Sequence, residues 1–204
     1  LRPSCTRLDD GRVLVVWDAP QAGGKGFVLR GRFLSPAGRP EGDVLAFPPR
    51  SDRAEWDPAV APAQGGGFLL TWCLGSPNAT DRDIFAQLYD ERARAAGPPL
   101  PLSARRNEQD FPDVTRLADG SFLVAWEDDL SGFDHTNARR IGRDGRTLGP
   151  TFTLNERETL FSEVRQRPSV AALGEGFIGI WADRRRSRDF DVYLRVLGPK
   201  FDDL

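Results

Sequence analysis

An all-β fold, a four-bladed β-propeller with four short antiparallel strands per blade, is the class this sequence predicts. Three observations predict it. One apolar stretch occurs four times: GRVLVVW at 11–17, GGFLLTW at 66–72, GSFLVAW at 120–126 and GFIGIW at 176–181. Its closing tryptophans, Trp17, Trp72, Trp126 and Trp181, follow one another at steps of 55, 54 and 55 residues. No amphipathic helical period of useful length interrupts the units. Four-stranded sheets repeated radially make a propeller, and such units stack because none closes a core alone.

Each unit opens on a proline: Pro3, Pro58, Pro112 and Pro168. Proline is tolerated at the first residue of a strand, where no ladder donor is needed. A glycine stands eight residues on, at Gly11, Gly66, Gly120 and Gly176. The segments between, PDVTRL at 112–117 and PSVAAL at 168–173 most clearly, read as a first strand. Asp10-Gly11 and Asp119-Gly120 are hairpin-turn signals, because glycine accepts positive φ without steric cost. The second strand is the repeated stretch. Phe122, Val124 and Trp126 share one face, Leu123 and Ala125 the other, so both faces are expected to be buried. The tryptophan is expected to fill the gap between neighbouring sheets.

A polar loop of variable sequence follows, then a third strand at 26–34, 83–90 and 191–198. In the third unit the corresponding stretch, NARRIGRDG at 137–145, is the weakest. Short outer strands are expected at 97–103 and 145–155, with prolines that suit an edge. The blades fall at about 1–55, 56–109, 110–165 and 166–204 of one domain. After its third strand the last unit has only PKFDDL, at 199–204. Three outcomes stay open for it: the tail as outer strand, imperfect closure, or half of an eight-bladed ring.

The chain has 204 residues, 39% of them hydrophobic, enough for a sizeable core. Its formal net charge of −2 gives no support to nucleic-acid or anionic-membrane binding. The arginine run 184–186 lies among Asp183, Asp189 and Asp191 and reads as a solvated or internally paired loop. No apolar run reaches the roughly 18 residues of a membrane span. No signal peptide is recognisable and no methionine occurs, so a processed chain or a piece of a longer one is expected. Lys25 and Lys200 are the only lysines, a bias that suggests a GC-rich bacterial genome. The two cysteines, Cys5 and Cys73, form no metal or redox pattern. Cys5 takes the place of Val60, Val114 and Val170 and is expected to be a small buried hydrophobe rather than half of a disulfide.

FPDVTRLADGSFLVAWEDD at 111–129, RPSVAALGEGFIGIW at 167–181, DIFAQLYD at 83–90 and WADRRRSRDFDVYLR at 181–195 resemble a known repeat. It is a propeller-type repeat of bacterial secreted and cell-surface proteins. The resemblance covers essentially the whole chain. It implies a propeller fold and secretion or surface display, and it implies no single function. The first unit departs most, lacking the acidic residue and the alanine-glutamine pair at its third strand. In the fourth unit the pattern places Asp183 and Arg184 or Arg185 near Asp191, as an Arg–carboxylate pair or a plain surface one.

Three kinds of chemistry could sit on such a chain. Glycoside hydrolysis wants two carboxylates on one substrate bond. Glu127, Asp128, Asp129, Asp134 and Asp183 are available, but Asp128 and Asp129 read as solvated loop residues. Asp119 stands seven residues before Trp126, which is not the spacing of the sialidase-type Asp box. For metal, Asp81 with Asp83, or Asp189 with Asp191, offers oxygens, yet no calcium-loop pattern is present, and the lone His135 makes no zinc site. The third is recognition by the variable loops between second and third strands, with Trp56, Phe111, Phe133 and Phe161 at or near turns. Asn78-Ala79-Thr80 matches the glycosylation triplet, discounted in a bacterial chain.

The expectation is therefore a non-catalytic, secreted or surface-exposed module that binds a protein or glycan, or serves assembly. No catalytic residue, metal ligand or cofactor is assigned. The candidate contact residues are Trp56, Phe111, Asp128, Asp129, Phe133, His135, Asp183, Arg184 and Arg185. Nucleic-acid binding and membrane insertion are not expected; a homo-oligomer or larger assembly is admitted. The alternative is a glycoside-acting hydrolase with a carboxylate site at the propeller face. An enzyme should show a central pocket with convergent carboxylates, a binder a filled channel with shallow loop sites.

Overall fold

The computed structural model describes residues 2–21, 23, 26–47, 53–76, 81–103, 107–130, 133–155, 167–183 and 190–201. Blade 1 holds β1 (Ser4–Arg7), β2 (Val13–Pro20), β3 (Phe27–Leu34) and β4 (Pro40–Ala46), antiparallel in that spatial order. Blade 2 holds β5 (Ala54–Pro62), β6 (Phe68–Gly75), β7 (Asp81–Tyr89) and β8 (Leu100–Ser103). Blade 3 holds β9 (Asn107–Arg116), β10 (Phe122–Leu130), β11 (Phe133–Ile141) and β12 (Thr147–Thr153). Blade 4 holds β13 (Ser169–Leu173), β14 (Gly176–Asp183) and β15 (Asp191–Leu197). A two-residue parallel pairing, Asp81 with Asn107 and Arg82 with Glu108, also stitches blade 2 to blade 3.

The repeated glycines close the inner hairpins as their sequence requires. Gly11 and Gly120 sit at φ 88° and 82°. The amide of Gly120 donates to Leu117 O at 2.9 Å, and that of Leu117 to Ser121 O at 2.8 Å. A side chain with a Cβ is strained at such φ values. The third strand of the third unit, weakest in sequence, is well formed, because β11 pairs with β10 along nine residues.

Sheets pack face to face, and the tryptophans of blades 2 to 4 are each buried against the preceding blade. Trp72 joins Leu14, Val16 and Leu29 of blade 1. Trp126 joins Leu69, Cys73 and Ile84 of blade 2. Trp181 joins Leu123, Ala125 and Ala138 of blade 3. A polar staple recurs at these interfaces. At two of them the side chain just after the repeat proline reaches the next blade: Ser4 Oγ accepts from Val60 N at 3.3 Å, and Asp113 Oδ2 from Val170 N at 2.8 Å.

The two end faces of the array differ from the expectation of uniform burial. Val192 of blade 4 stands at the register position of Leu29, Ile84 and Thr136. Those three are 0% exposed, and Val192 is 77% exposed. Leu194 and Ile180 share its open face. At the other end Trp17 is only partly buried, and Cys5 is exposed rather than a buried hydrophobe. Cys5 and Cys73 are both free thiols. The cause is shared: among the described residues, no sheet packs on the tryptophan face of blade 1 or the opposite face of blade 4. Nor does the C-terminal tail supply an outer strand within the described residues. Phe201 instead turns back onto Phe152 and Phe177, with ring centroids 5.1 and 5.4 Å away.

Candidate functional site

The innermost strands β1, β5, β9 and β13 surround one axis, and what the prolines do there builds a cavity. Opposite Trp72, β5 carries two residues, Asp57 and Pro58, where the ladder has room for one: the register steps from Trp56–Cys73 to Ala59–Thr71. Opposite Trp126, β9 carries Phe111 and Pro112 in the same way. Proline has no N–H to give the ladder, so the extra residue bulges out and its side chain is re-aimed. Arg2-Pro3 and Arg167-Pro168 occupy the equivalent places just ahead of β1 and β13.

Three of the pre-proline residues are forced into the left-handed region: Asp57 at φ 47°, Phe111 at 53° and Arg167 at 39°. A residue before proline normally stays extended. Each such outlier costs on the order of 1–3 kcal/mol, and clusters of them mark functional sites. Here they point Asp57, Phe111 and Arg167, with Arg2, into a cavity of about 440 Å³ that Asp113 and Ser169 also line.

Acidic residues from the ends of the second strands hold this mouth in shape. Asp18 Oδ1 accepts from the Arg2 amide at 2.9 Å, and Glu127 Oε2 from the Arg167 amide at 3.4 Å. Both guanidinium groups lie over the Phe111 ring, 4.6 Å away for Arg2 and 5.0 Å for Arg167. Asp113 bridges to blade 4 through one oxygen: its Oδ2 takes both Ser169 Oγ and Val170 N at 2.8 Å. Its Oδ1 has no protein partner among the described residues.

Asp57 is the unusual group. Its side chain is 12% exposed, and among the described residues its carboxylate meets a single loose ion pair, Arg2 Nε at 3.9 Å. Burial pushes its pKa up to about 6; Arg2 opposes this, and the nearby charges of Asp110 and Asp18 add to it. Behind it, Asp110 is paired with Arg82 Nη1 at 2.5 Å, and Arg82 also pairs with Glu108. Burial raises Asp110 too, with Arg82 opposing. The Cys73 thiol faces Asp110 Oδ1 at 3.8 Å, and burial, then Asp110, pushes it well up.

At the far end of the axis Arg116 of blade 3 pairs with Asp9 of blade 1 at 2.8 Å. The polar cavity there, about 420 Å³, is lined by Gln64, Arg143 and Gly174 among others. Among the described residues, no three His, Cys, Asp or Glu side chains are placed to share a metal ion.

Of the residues singled out from sequence, Phe111 alone lines the axial cavity. Trp56 packs against the core between blades 2 and 3. Asp128 and Asp129 are not loop residues; they continue β10. Asp128 is buried, with Asn137 Nδ2 donating to Oδ2 at 2.9 Å and Gln109 Nε2 to Oδ1 at 3.4 Å. His135 is paired opposite it in β11 and half-buried. Phe133 and Asp183 lie at strand ends, and only their backbones are described. Arg184, Arg185, Phe161 and the triplet at 78–80 fall outside the described residues, as do parts of the loops between second and third strands. Asp81 and Asp83 both face Arg53, at 3.5 and 3.4 Å, which accounts for them without calcium. Arg2, Asp57, Asp113 and Arg167 do not stand out in the sequence because they adjoin the repeat's frame. One signal was there: a single position, before each repeat proline, reads Arg, Asp, Phe, Arg.

No protein-family model matches the chain, and no curated protein matches it. Solved structures do. The endo-arabinase of Bacteroides thetaiotaomicron superposes with a TM-score of 0.61 at 18% identity, over 99% of this chain and 76% of that one. The arabinanase of Bacillus subtilis gives 0.61 at 11%, over 96% and 71%. An α-L-arabinanase of Penicillium chrysogenum, complexed with arabinobiose, gives 0.64 at 13%, over 99% and 58%. These likenesses establish the β-propeller fold. They also correct the expectation of a non-catalytic module: the matched propellers are named as glycan-cleaving enzymes, and the axial mouth has the central pocket and carboxylates set out above as the mark of an enzyme.

Proposed function

We propose that the protein is a glycoside-acting hydrolase working at the axial mouth. Asp57 is its proton donor, and Asp113 the opposing carboxylate. The observation that carries this reading is the pairing of two unlike carboxyl groups on one cavity. Asp57 is held near 6 by burial, so that it keeps a proton to give at mildly acid pH. Asp113 has one oxygen anchored and the other open. Asp57 protonates the bridging oxygen, the sugar–oxygen bond breaks, and Asp113 Oδ1 takes the proton of the attacking water. A polymeric glycan substrate fits the proposed secreted or surface location.

A panel of nitrophenyl glycosides and plant-type oligosaccharides, arabino-oligosaccharides included, tests the reading. Cleavage is expected with a maximum at or below pH 6. Asp57→Asn and Asp113→Asn should each cost 10²-fold or more in rate. Cleavage untouched by Asp57→Asn would sink the assignment.

A further inference from the structure

Two carboxylates and a sugar-sized cavity suffice for that reaction, and Arg2 and Arg167 go beyond it. Arg82 pairs with Glu108 and Asp110, Arg53 with Asp81 and Asp83, and Arg116 with Asp9, whereas half-buried Arg32 and Arg139 meet backbone carbonyls. Arg167 is exposed, and among the described residues its guanidinium meets the Phe111 ring and no acid. Its amide, not its side chain, reaches Glu127. Arg2 holds Asp57 loosely at 3.9 Å, and protonation of Asp57 removes that ion pair. Both cations lie over one ring, so they sit within about 10 Å of each other, near the screening length at physiological salt. Two like charges are thus held together at a mouth that the backbone is strained to form. A neutral sugar gives them nothing to offset; an anion does. A guanidinium presents a planar fork of donors that matches a carboxylate, and an aromatic face behind it fixes its plane.

We propose that the axial mouth selects an acidic glycan, with Arg167, assisted by Arg2, binding the carboxylate of a uronate residue. This rests on the hydrolase reading for the placement of the sugar. Phe111 holds the guanidinium planes, and Asp57 and Asp113 act on the bond beside the bound acid. Arg167 and Arg2 are specificity determinants and take no part in the proton transfers.

The test is titration calorimetry of the full chain with oligogalacturonate, its methyl ester, a sulfated neutral oligosaccharide and an arabino-oligosaccharide. The acid form is expected to bind at least ten-fold more tightly than its methyl ester, and less tightly as salt rises. Arg167→Gln should abolish that preference, Arg167→Lys should restore part of it, and Arg2→Gln should reduce it. Equal affinity for acid and ester, no measurable uronate binding at millimolar ligand, tighter binding of the sulfated sugar, or a preference unchanged in Arg167→Gln each overturns the proposal. The hydrolase reading fails separately. Asp57-dependent cleavage of a neutral glycan keeps it and overturns the uronate preference. Arg167-dependent uronate binding with no Asp57-dependent cleavage of any glycan does the reverse.

Discussion

Replacing Asp57 by asparagine should stabilise the fold, and the gain should depend on pH in a defined way. A carboxyl held at about 6 instead of 3.8 makes ionisation cost the folded state about 3 kcal/mol. At pH 3.5 the side chain is protonated in both folded and unfolded chains, and the cost is absent. Between pH 4 and 6 the unfolded chain releases the proton while the folded chain keeps it, so stability falls as pH rises. Above pH 6.5 the whole cost is present. Asparagine has nearly the same shape and never ionises. The stability of Asp57→Asn minus that of the native protein should therefore grow by up to about 3 kcal/mol between pH 4 and 7. Taking the difference cancels the carboxyl groups that do not feel Asp57, while the coupling to Asp110 and Asp18 is part of the measured effect. Urea denaturation of both proteins at half-unit pH steps, with equal m-values as the control, measures it. Two curves that run parallel from pH 4 to 7 would refute the claim that burial raises Asp57. They would also remove the basis for its role as proton donor.

Other expectations follow from the same coordinates. Ile84→Ala should cost about 2–5 kcal/mol, because its side chain is fully buried between blades. Val192→Ala, at the same register position in an uncovered face, should cost less than about 0.5 kcal/mol by the same denaturation assay. Arg82→Ala strips buried Asp110 of its counter-charge and should cost about 3 kcal/mol at pH 7. That cost should shrink as the pH is lowered and Asp110 takes up a proton. A thiol reagent should add one label to the native protein, at exposed Cys5, and a second only in denaturant, at buried Cys73; intact mass reads both.

The fold was open to reading because its code is local. Alternation with period two, a glycine where φ turns positive and a proline where the ladder needs no donor all act within a few residues. The third strand of blade 3 shows the limit. Asn137 and Arg139 hide its pattern, and pairing with β10 forms it regardless. The site was far less legible. Asp128 looks like a loop acid in sequence and is a buried strand residue, since the β10–β11 hairpin runs on past the tryptophan. Asp57 looks like an unremarkable residue before a proline. Its raised pKa arises from burial beside Asp18 and Asp110, and the three residues come from three different strands.

By itself the sequence determined the strands, their turns, the four-fold repeat and the apolar faces that make sheets stack. Only the tertiary structure decided which faces stay uncovered and which side chains meet. Burial at Trp72 and exposure at Val192 depend on whether a neighbouring sheet is present, and no stretch of a single blade records that. Likewise Arg2, Asp57, Phe111 and Arg167 belong to separate units of about 55 residues. They share a cavity because blade packing wraps the inner strands round one axis and the proline bulges turn those side chains into it.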